Sequence, residues 1–126
     1  MDKRIHENKQ VIWMNGSAIM KFAVKILTKA SHRVLEAANM TMEDIKYVVP
    51  HQANLRIMES GAKSLGIPME KMFSNIKNYG NISSACIPVA LDVLAKNNKL
   101  TKGDSLILVG FGGGLTWASA LIRWSK

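Results

Sequence analysis

A chain of 126 residues, 48% apolar and 21% charged, suits one domain that buries roughly two-thirds of its unfolded surface, so neither disulfide nor metal is required to hold it. Its single cysteine, Cys86, excludes an internal bridge and fits a reducing compartment. No apolar run approaches the roughly 20 residues of a membrane span, and the start lacks the apolar segment of a secretory signal, so a cytoplasmic location without a membrane partner is expected.

Charge narrows the partners. Seventeen Lys and Arg against 9 Asp and Glu give a net charge of +8, a field that attracts phosphates, CoA or an acidic protein. The basic residues are dispersed and aromatics sparse, so nucleic acid is not the expected partner.

Residues 1–10 are polar and charged and read as a lead-in to a domain over 11–126. Val11-Ile12-Trp13-Met14 predicts a first strand, and Asn15-Gly16 a turn. Apolar residues at Ile19, Phe22, Ala23, Ile26, Leu27, Ala30, Val34 and Ala37 fall at steps of three and four, which predicts an amphipathic helix ending near Asn39. Thr41, with Asp44 three residues on, predicts a capped turn before the strand Tyr47-Val48-Val49. A second helix carries Ala53, Ile57, Met58, Ala62 and Leu65 on one face and stops at Gly66-Ile67-Pro68. Glu70 to Ile76 then leads through a turn into a third strand. Beyond Asn78-Tyr79-Gly80-Asn81, Ser83 and Ser84 are candidates to cap a third helix with Val89, Ala90, Val93 and Leu94 inward; Pro88 is tolerated near its first turn.

Lys102-Gly103-Asp104 marks another turn. Leu106-Ile107-Leu108-Val109 is a continuous apolar run, as expected of a strand covered on both faces, and the more mixed Thr116 to Trp124 follows through Gly112-Gly113-Gly114. The order β-α-β-α-β-α-β-β predicts an α/β domain with a five-stranded mixed sheet. Helical crossovers make its strands parallel, and the last strand is antiparallel.

In an open parallel sheet, ligands bind beyond the carboxyl ends of the strands. Three segments should meet there: His51-Gln52-Ala53-Asn54, Tyr79-Gly80-Asn81 and Phe111-Gly112-Gly113-Gly114. His51 is either a capping histidine or a ring kept neutral by a helix N-terminus, ready to donate to a carbonyl oxygen that gains negative charge. Asn81 is either a turn residue after Gly80 or a second donor to that oxygen. The glycine run is either a permissive hairpin or an open approach to backbone N–H groups that act as an oxyanion hole. It is not a phosphate loop, since no Lys-Ser/Thr follows it. Cys86 is a nucleophile by type, yet it lies in the first turn of a helix among Ala85, Ile87 and Pro88 and reads as a small buried hydrophobe. His6 and His32 read as solvated, and Trp13, Trp117 and Trp124 as packing residues.

Val49-Pro50-His51-Gln52-Ala53-Asn54-Leu55-Arg56-Ile57, Tyr79-Gly80-Asn81-Ile82-Ser83-Ser84 and Gly110-Phe111-Gly112-Gly113-Gly114-Leu115-Thr116-Trp117 closely resemble the C-terminal half of the 3-oxoacyl-(acyl-carrier-protein) synthase III family, condensing enzymes that initiate bacterial fatty acid synthesis. The resemblance runs from about Met14 to Trp124. It implies a thiolase-like fold of two similar halves, with His51 and Asn81 holding the thioester carbonyl of malonyl-acyl-carrier protein as CO2 leaves. It further implies that the Gly113 N–H, with that of the nucleophilic cysteine, forms an oxyanion hole, and that Phe111 lines the adjacent pocket. Asn54 and Arg56 would contact CoA or the phosphopantetheine arm of the carrier, and Lys21, Arg56 and Lys63 would form a basic face for the acidic carrier.

No metal or cofactor is implied, because the substrates are a CoA thioester and the acyl carrier protein itself. The implied partners are the N-terminal half of the same enzyme and, for the intact enzyme, a second copy in a homodimer. Two departures stand out: Ile82 replaces the usual threonine, and the nucleophilic cysteine belongs to the N-terminal half, Cys86 matching a non-catalytic position. The expectation is therefore the C-terminal domain of a synthase III, inactive alone. The alternatives are a non-catalytic module that docks carrier protein or CoA, and part of a related condensing enzyme of another pathway.

Overall fold

The computed structural model describes residues 14–126. The lead-in 1–10, His6, Trp13 and all but the last residue of the predicted first strand lie outside the described residues. Helix α1 (Gly16–Ala38) opens at Asn15, whose side-chain oxygen accepts the Ala18 N–H at 3.1 Å. It closes at Asn39 in the left-handed region (φ 52°), where the N–H groups of Asn39 and Met40 turn back to the carbonyls of Glu36 and Leu35. The middle of the predicted stripe is buried, with Ala23, Ile26, Leu27 and Ala30 facing the core; Ile19, Phe22 and Val34 are partly buried, and Ala37 is exposed.

The acid after Thr41 does what its spacing suggests. The Thr41 N–H and hydroxyl both donate to the Asp44 carboxylate, at 2.8 and 3.1 Å, and the chain passes directly into β1 (Ile45–Pro50). Helix α2 (Leu55–Leu65) starts at an Asn54 cap, whose side-chain oxygen accepts the Arg56 N–H at 2.8 Å, and ends at Gly66 with φ 67°. Ala53, expected on this helix, precedes it.

The predicted third strand is a correction. Only Met72 bridges to β1, at Val48, and the Phe73 N–H donates to the Val48 carbonyl at 2.9 Å. Beyond it the backbone groups a ladder would use are taken by a side chain: Phe73 O accepts from Gln52 Nε2 (3.2 Å) and the Asn75 N–H donates to Gln52 Oε1 (3.1 Å). The chain then coils into the short helix α3 (Ile76–Tyr79). Ser83 and Ser84 do not cap the next helix; with Ala85 they form a 3-10 turn that runs into α4 (Cys86–Lys96), without a side-chain cap. Pro88 sits in the first turn of α4, where its missing N–H costs nothing.

Strands β2 (Ser105–Gly112) and β3 (Thr116–Arg123) complete the sheet. Among the described residues it has three strands, in the order β1-β2-β3, where five were expected. The directions agree with expectation: β1 and β2 are parallel, with Val48 opposite Ile107, and β2 and β3 antiparallel, with Phe111 opposite Trp117. Alternate residues of β1 and β2 feed two cores. Val48, Ile107 and Val109 pack with Leu27, Met58 and Met72 on the α1–α2 side, while Val49 and Leu106 pack with Ala90 and Leu94 of α4 on the other. The result is a three-layer α/β arrangement in which the carboxyl ends of β1 and β2 emerge side by side.

Candidate active site

At that edge the His51 N–H donates to the Val109 carbonyl at 2.7 Å, so the residue is still held by the sheet although β1 has ended. Its half-buried ring stands edge-on to Phe111, with ring centroids 5.3 Å apart and planes at 83°. Both border a cleft of about 460 Å³ whose wall also includes Ser83, Ser84, Gly110, Thr116 and Trp117. Segments after β1, before α4 and around the β2–β3 turn thus line one space.

The wall contributes no charged side chain. Burial alone pushes the His51 pKa below its ordinary value of 6.5, because removing water penalises the imidazolium. A neutral ring was expected from a helix N-terminus, but α2 begins at Leu55 behind its own cap, and the cause is desolvation. A neutral imidazole carries one N–H donor and one acceptor.

Asn81 is exposed beside the cleft, and the residues that follow it form part of the wall. Its side-chain oxygen accepts the Ser83 N–H at 3.0 Å and the Cys86 thiol at 3.7 Å. Those two donors fix the amide orientation and leave the NH2 end as the outward donor. Cys86 is 1% exposed, which suits the buried, non-nucleophilic reading.

Gly113 lies in the exposed β2–β3 turn, where its carbonyl accepts the Thr116 hydroxyl at 3.0 Å. Of the three consecutive glycines, only Gly114 is demanded by the chain itself: φ is 131°, and a Cβ there would meet Thr116 Cγ2 at 2.7 Å. A Cβ on Gly112 or Gly113 would meet nothing within 4 Å. The absence of side chains at those two positions is therefore not explained by this chain's own packing.

The other expected residues lie away from the cleft wall. The Asn54 oxygen is engaged in capping α2, and Arg56 is exposed in the first turn of that helix. Lys63 is exposed one stripe-step further, seven residues on. Lys21 borders a separate groove between α1 and α2 with Lys25, Lys29, Ser60 and Ser64. Sequence reasoning missed Lys25 and Lys29, although the successive steps of four from Lys21 to Lys25 to Lys29 were the available signal. It also missed Ser83, Ser84 and Thr116 as wall residues, and Gln52 as a buried bracket; for these no local pattern announces the role.

Comparison with known proteins places the sequence and the fold in one family. The family model described as 3-Oxoacyl-[acyl-carrier-protein (ACP)] synthase III C terminal matches residues 35–124. The beta-ketoacyl-[acyl-carrier-protein] synthase III of Clostridium acetobutylicum is 50% identical over 115 residues, 91% of this chain and 35% of that protein. The Clostridium tetani protein of the same name is 53% identical over 118 residues, 94% and 35% respectively. Among solved structures, the synthase III of Thermus thermophilus matches with a TM-score of 0.89 at 44% identity, over 93% of this chain and 36% of that one. This chain spans about a third of the length of these relatives. With the family model covering most of its residues and the fold shared at this level, the chain belongs to the 3-oxoacyl-[acyl-carrier-protein] synthase III C-terminal family.

Proposed function

We propose that this chain is the C-terminal part of a condensing enzyme that joins an acyl starter to a malonyl thioester with loss of CO2, as in the first condensation of fatty acid synthesis. The observation that carries the reading is the uncharged cleft at the strand ends, bordered by a desolvated His51 and by the segment that holds Asn81 with its NH2 end outward.

In this reading the C–C bond to the malonyl carboxylate breaks, CO2 leaves, and the electron pair moves onto the thioester oxygen as an enolate. The His51 N–H and the Asn81 NH2 donate to that oxygen. Neutral donors suit the step because they strengthen as charge develops and need no proton transfer at pH 7. The enolate carbon then attacks the acyl-cysteine carbonyl supplied by the N-terminal half, and the thiolate leaves. The Gly113 N–H stabilises the tetrahedral oxyanion on the way, and side-chain-free positions at Gly112 and Gly113 leave room for that approach.

The CoA or phosphopantetheine arm would pass Phe111, Asn54 and Arg56. The acidic carrier protein would rest on Lys21, Arg56 and Lys63, extended by Lys25 and Lys29 along the α1–α2 groove. No metal or cofactor enters, and a homodimer is the expected assembly of the intact enzyme. No described helix is long and apolar enough to cross a membrane, which accords with the cytoplasmic setting of such chemistry.

The test is to assemble the chain with a cysteine-bearing N-terminal half and measure malonyl-carrier decarboxylation. His51→Ala is expected to lower the rate about a hundredfold or more. An unchanged rate in that variant overturns the role, and carrier binding without any turnover by the assembled enzyme favours a binding module instead.

A further inference from the structure

Gln52 follows His51 and is 1% exposed, so its primary amide is stable there only if its hydrogen-bonding groups find partners. They do. Nε2 donates to the carbonyls of Pro50 at 2.9 Å and Phe73 at 3.2 Å, and Oε1 accepts the Asn75 N–H at 3.1 Å. Pro50 is the residue before His51. Phe73 and Asn75 lead into α3, which delivers the chain through Gly80 to Asn81.

The geometry is that of a strand pairing finished by a side chain. Phe73 begins beside β1 with its N–H on the Val48 carbonyl, and Gln52 then supplies the donor and acceptor that a further peptide of β1 would have offered. The arrangement holds its segment against an opposing tendency: Asn75 is 6% exposed, and its side-chain Nδ2 is buried with no partner among the described residues. An unpaired buried donor favours rehydration, which would draw the segment leading to Asn81 outward.

We infer that Gln52 is a positioning residue, whose buried amide sets the spacing between His51 and Asn81 by tying together the backbone that leads into each. Gln52 is not among the residues that border the cleft. The inference rests on the roles proposed above for His51 and Asn81. Misplacing one of two donors by an ångström is enough to lose about a hundredfold in rate without changing how the substrate is held.

Two variants test it. Gln52→Met keeps the shape and removes all three hydrogen bonds; Gln52→Glu keeps an acceptor for the Asn75 N–H but replaces the donor to the Pro50 and Phe73 carbonyls by a carboxylate oxygen that cannot donate. In the assembled enzyme, Gln52→Met should lower kcat for malonyl-thioester decarboxylation about 10- to 100-fold with KM within about twofold of wild type, and Gln52→Glu, whose buried carboxylate opposes two carbonyl oxygens, should lose at least as much. In the 126-residue chain, the titration midpoint of the His51 ring, followed by NMR, should rise in Gln52→Met toward the ordinary histidine value as the loosened loop admits water.

A folded Gln52→Met with wild-type kcat and an unmoved His51 midpoint overturns the inference. So does a lowered Tm with both readouts unchanged, because that is a purely structural role. Should Gln52→Met fail to fold, kcat and KM of Gln52→Glu decide, and a wild-type kcat there overturns the inference; its His51 midpoint is not read, because the added carboxylate raises it directly. If the wild-type assembly does not decarboxylate, the proposed function falls, while the His51 midpoint still decides whether Gln52 holds the loop.

Discussion

His51 keeps its backbone in the sheet and sends its ring into a cleft wall that holds no charged side chain, so burial is the one influence on its titration. The sign follows from that. The folded state favours the neutral ring and holds the pKa below 6.5; hence the unfolded chain binds more protons in the window beneath that value, and the ring's contribution to stability is complete above pH 6.5 and is lost as pH falls through the folded pKa. We expect urea midpoints to drop between about pH 7 and pH 5 in wild type and to drop less in His51→Gln, with carboxylates already ionised across that range. Equal slopes in the two proteins would remove burial of His51 as the cause. Asp44 and Asp104, held below their usual range by hydrogen bonds from Thr41 and Thr101, act in the same direction only at lower pH, below about 3.8.

At the scale of elements, β1 and β2 are entered by the same device. Thr101 donates its N–H and hydroxyl to the Asp104 carboxylate at 2.8 and 3.0 Å, as Thr41 does to Asp44, and the strands begin in parallel with Ile45 opposite Ser105. Helices α1 and α2 meet closely at Gly61, where an added methyl would run into the buried Leu27 side chain. Alanine is the better helix former by about 1 kcal/mol, but Leu27 is fully enclosed and has little room to shift. Gly61→Ala should therefore destabilise the protein by about 1–3 kcal/mol, read as a fall of several degrees in Tm; an unchanged or raised Tm would mean the helices separate freely. Helices α1 and α2 were legible because each has periodic apolar residues that run up to a left-handed terminator, Asn39 in one and Gly66 in the other. The third strand was not, because Gln52, some twenty positions earlier, takes the bonds that would have extended it.

For the molecule as a whole, the net charge of +8 has a directional part in Lys21, Lys25 and Lys29 along the α1–α2 groove, with Arg56 and Lys63 on exposed positions of α2. Exposed charges are screened over about 8 Å at physiological salt and about 3 Å at 1 M. Binding of holo-acyl-carrier protein, measured by isothermal titration, should therefore weaken steeply between about 50 and 500 mM salt, by about tenfold or more. Affinity that ignores salt would remove the electrostatic face. On α4, Ala90 and Leu94 join the buried cluster of Val49, Leu100 and Leu106, while Val89 and Val93, also expected inward, are only partly buried and lie outside it.

Sequence alone determined the α/β class, the parallel and antiparallel directions of the strands, the C-terminal ends of α1 and α2, and the family, since periodicity, helix stops and contiguous motifs are local and survive without coordinates. Tertiary structure decided what depends on residues distant in the chain. It placed the His51 ring against Phe111, turned the Asn81 oxygen toward Ser83 and Cys86, made Ser83 and Ser84 part of a cleft wall, and used Gln52 to finish a strand pairing. The cause of the lowered His51 pKa was not legible: how far water is excluded from a side chain is set by everything packed around it, and no stretch of sequence carries that quantity.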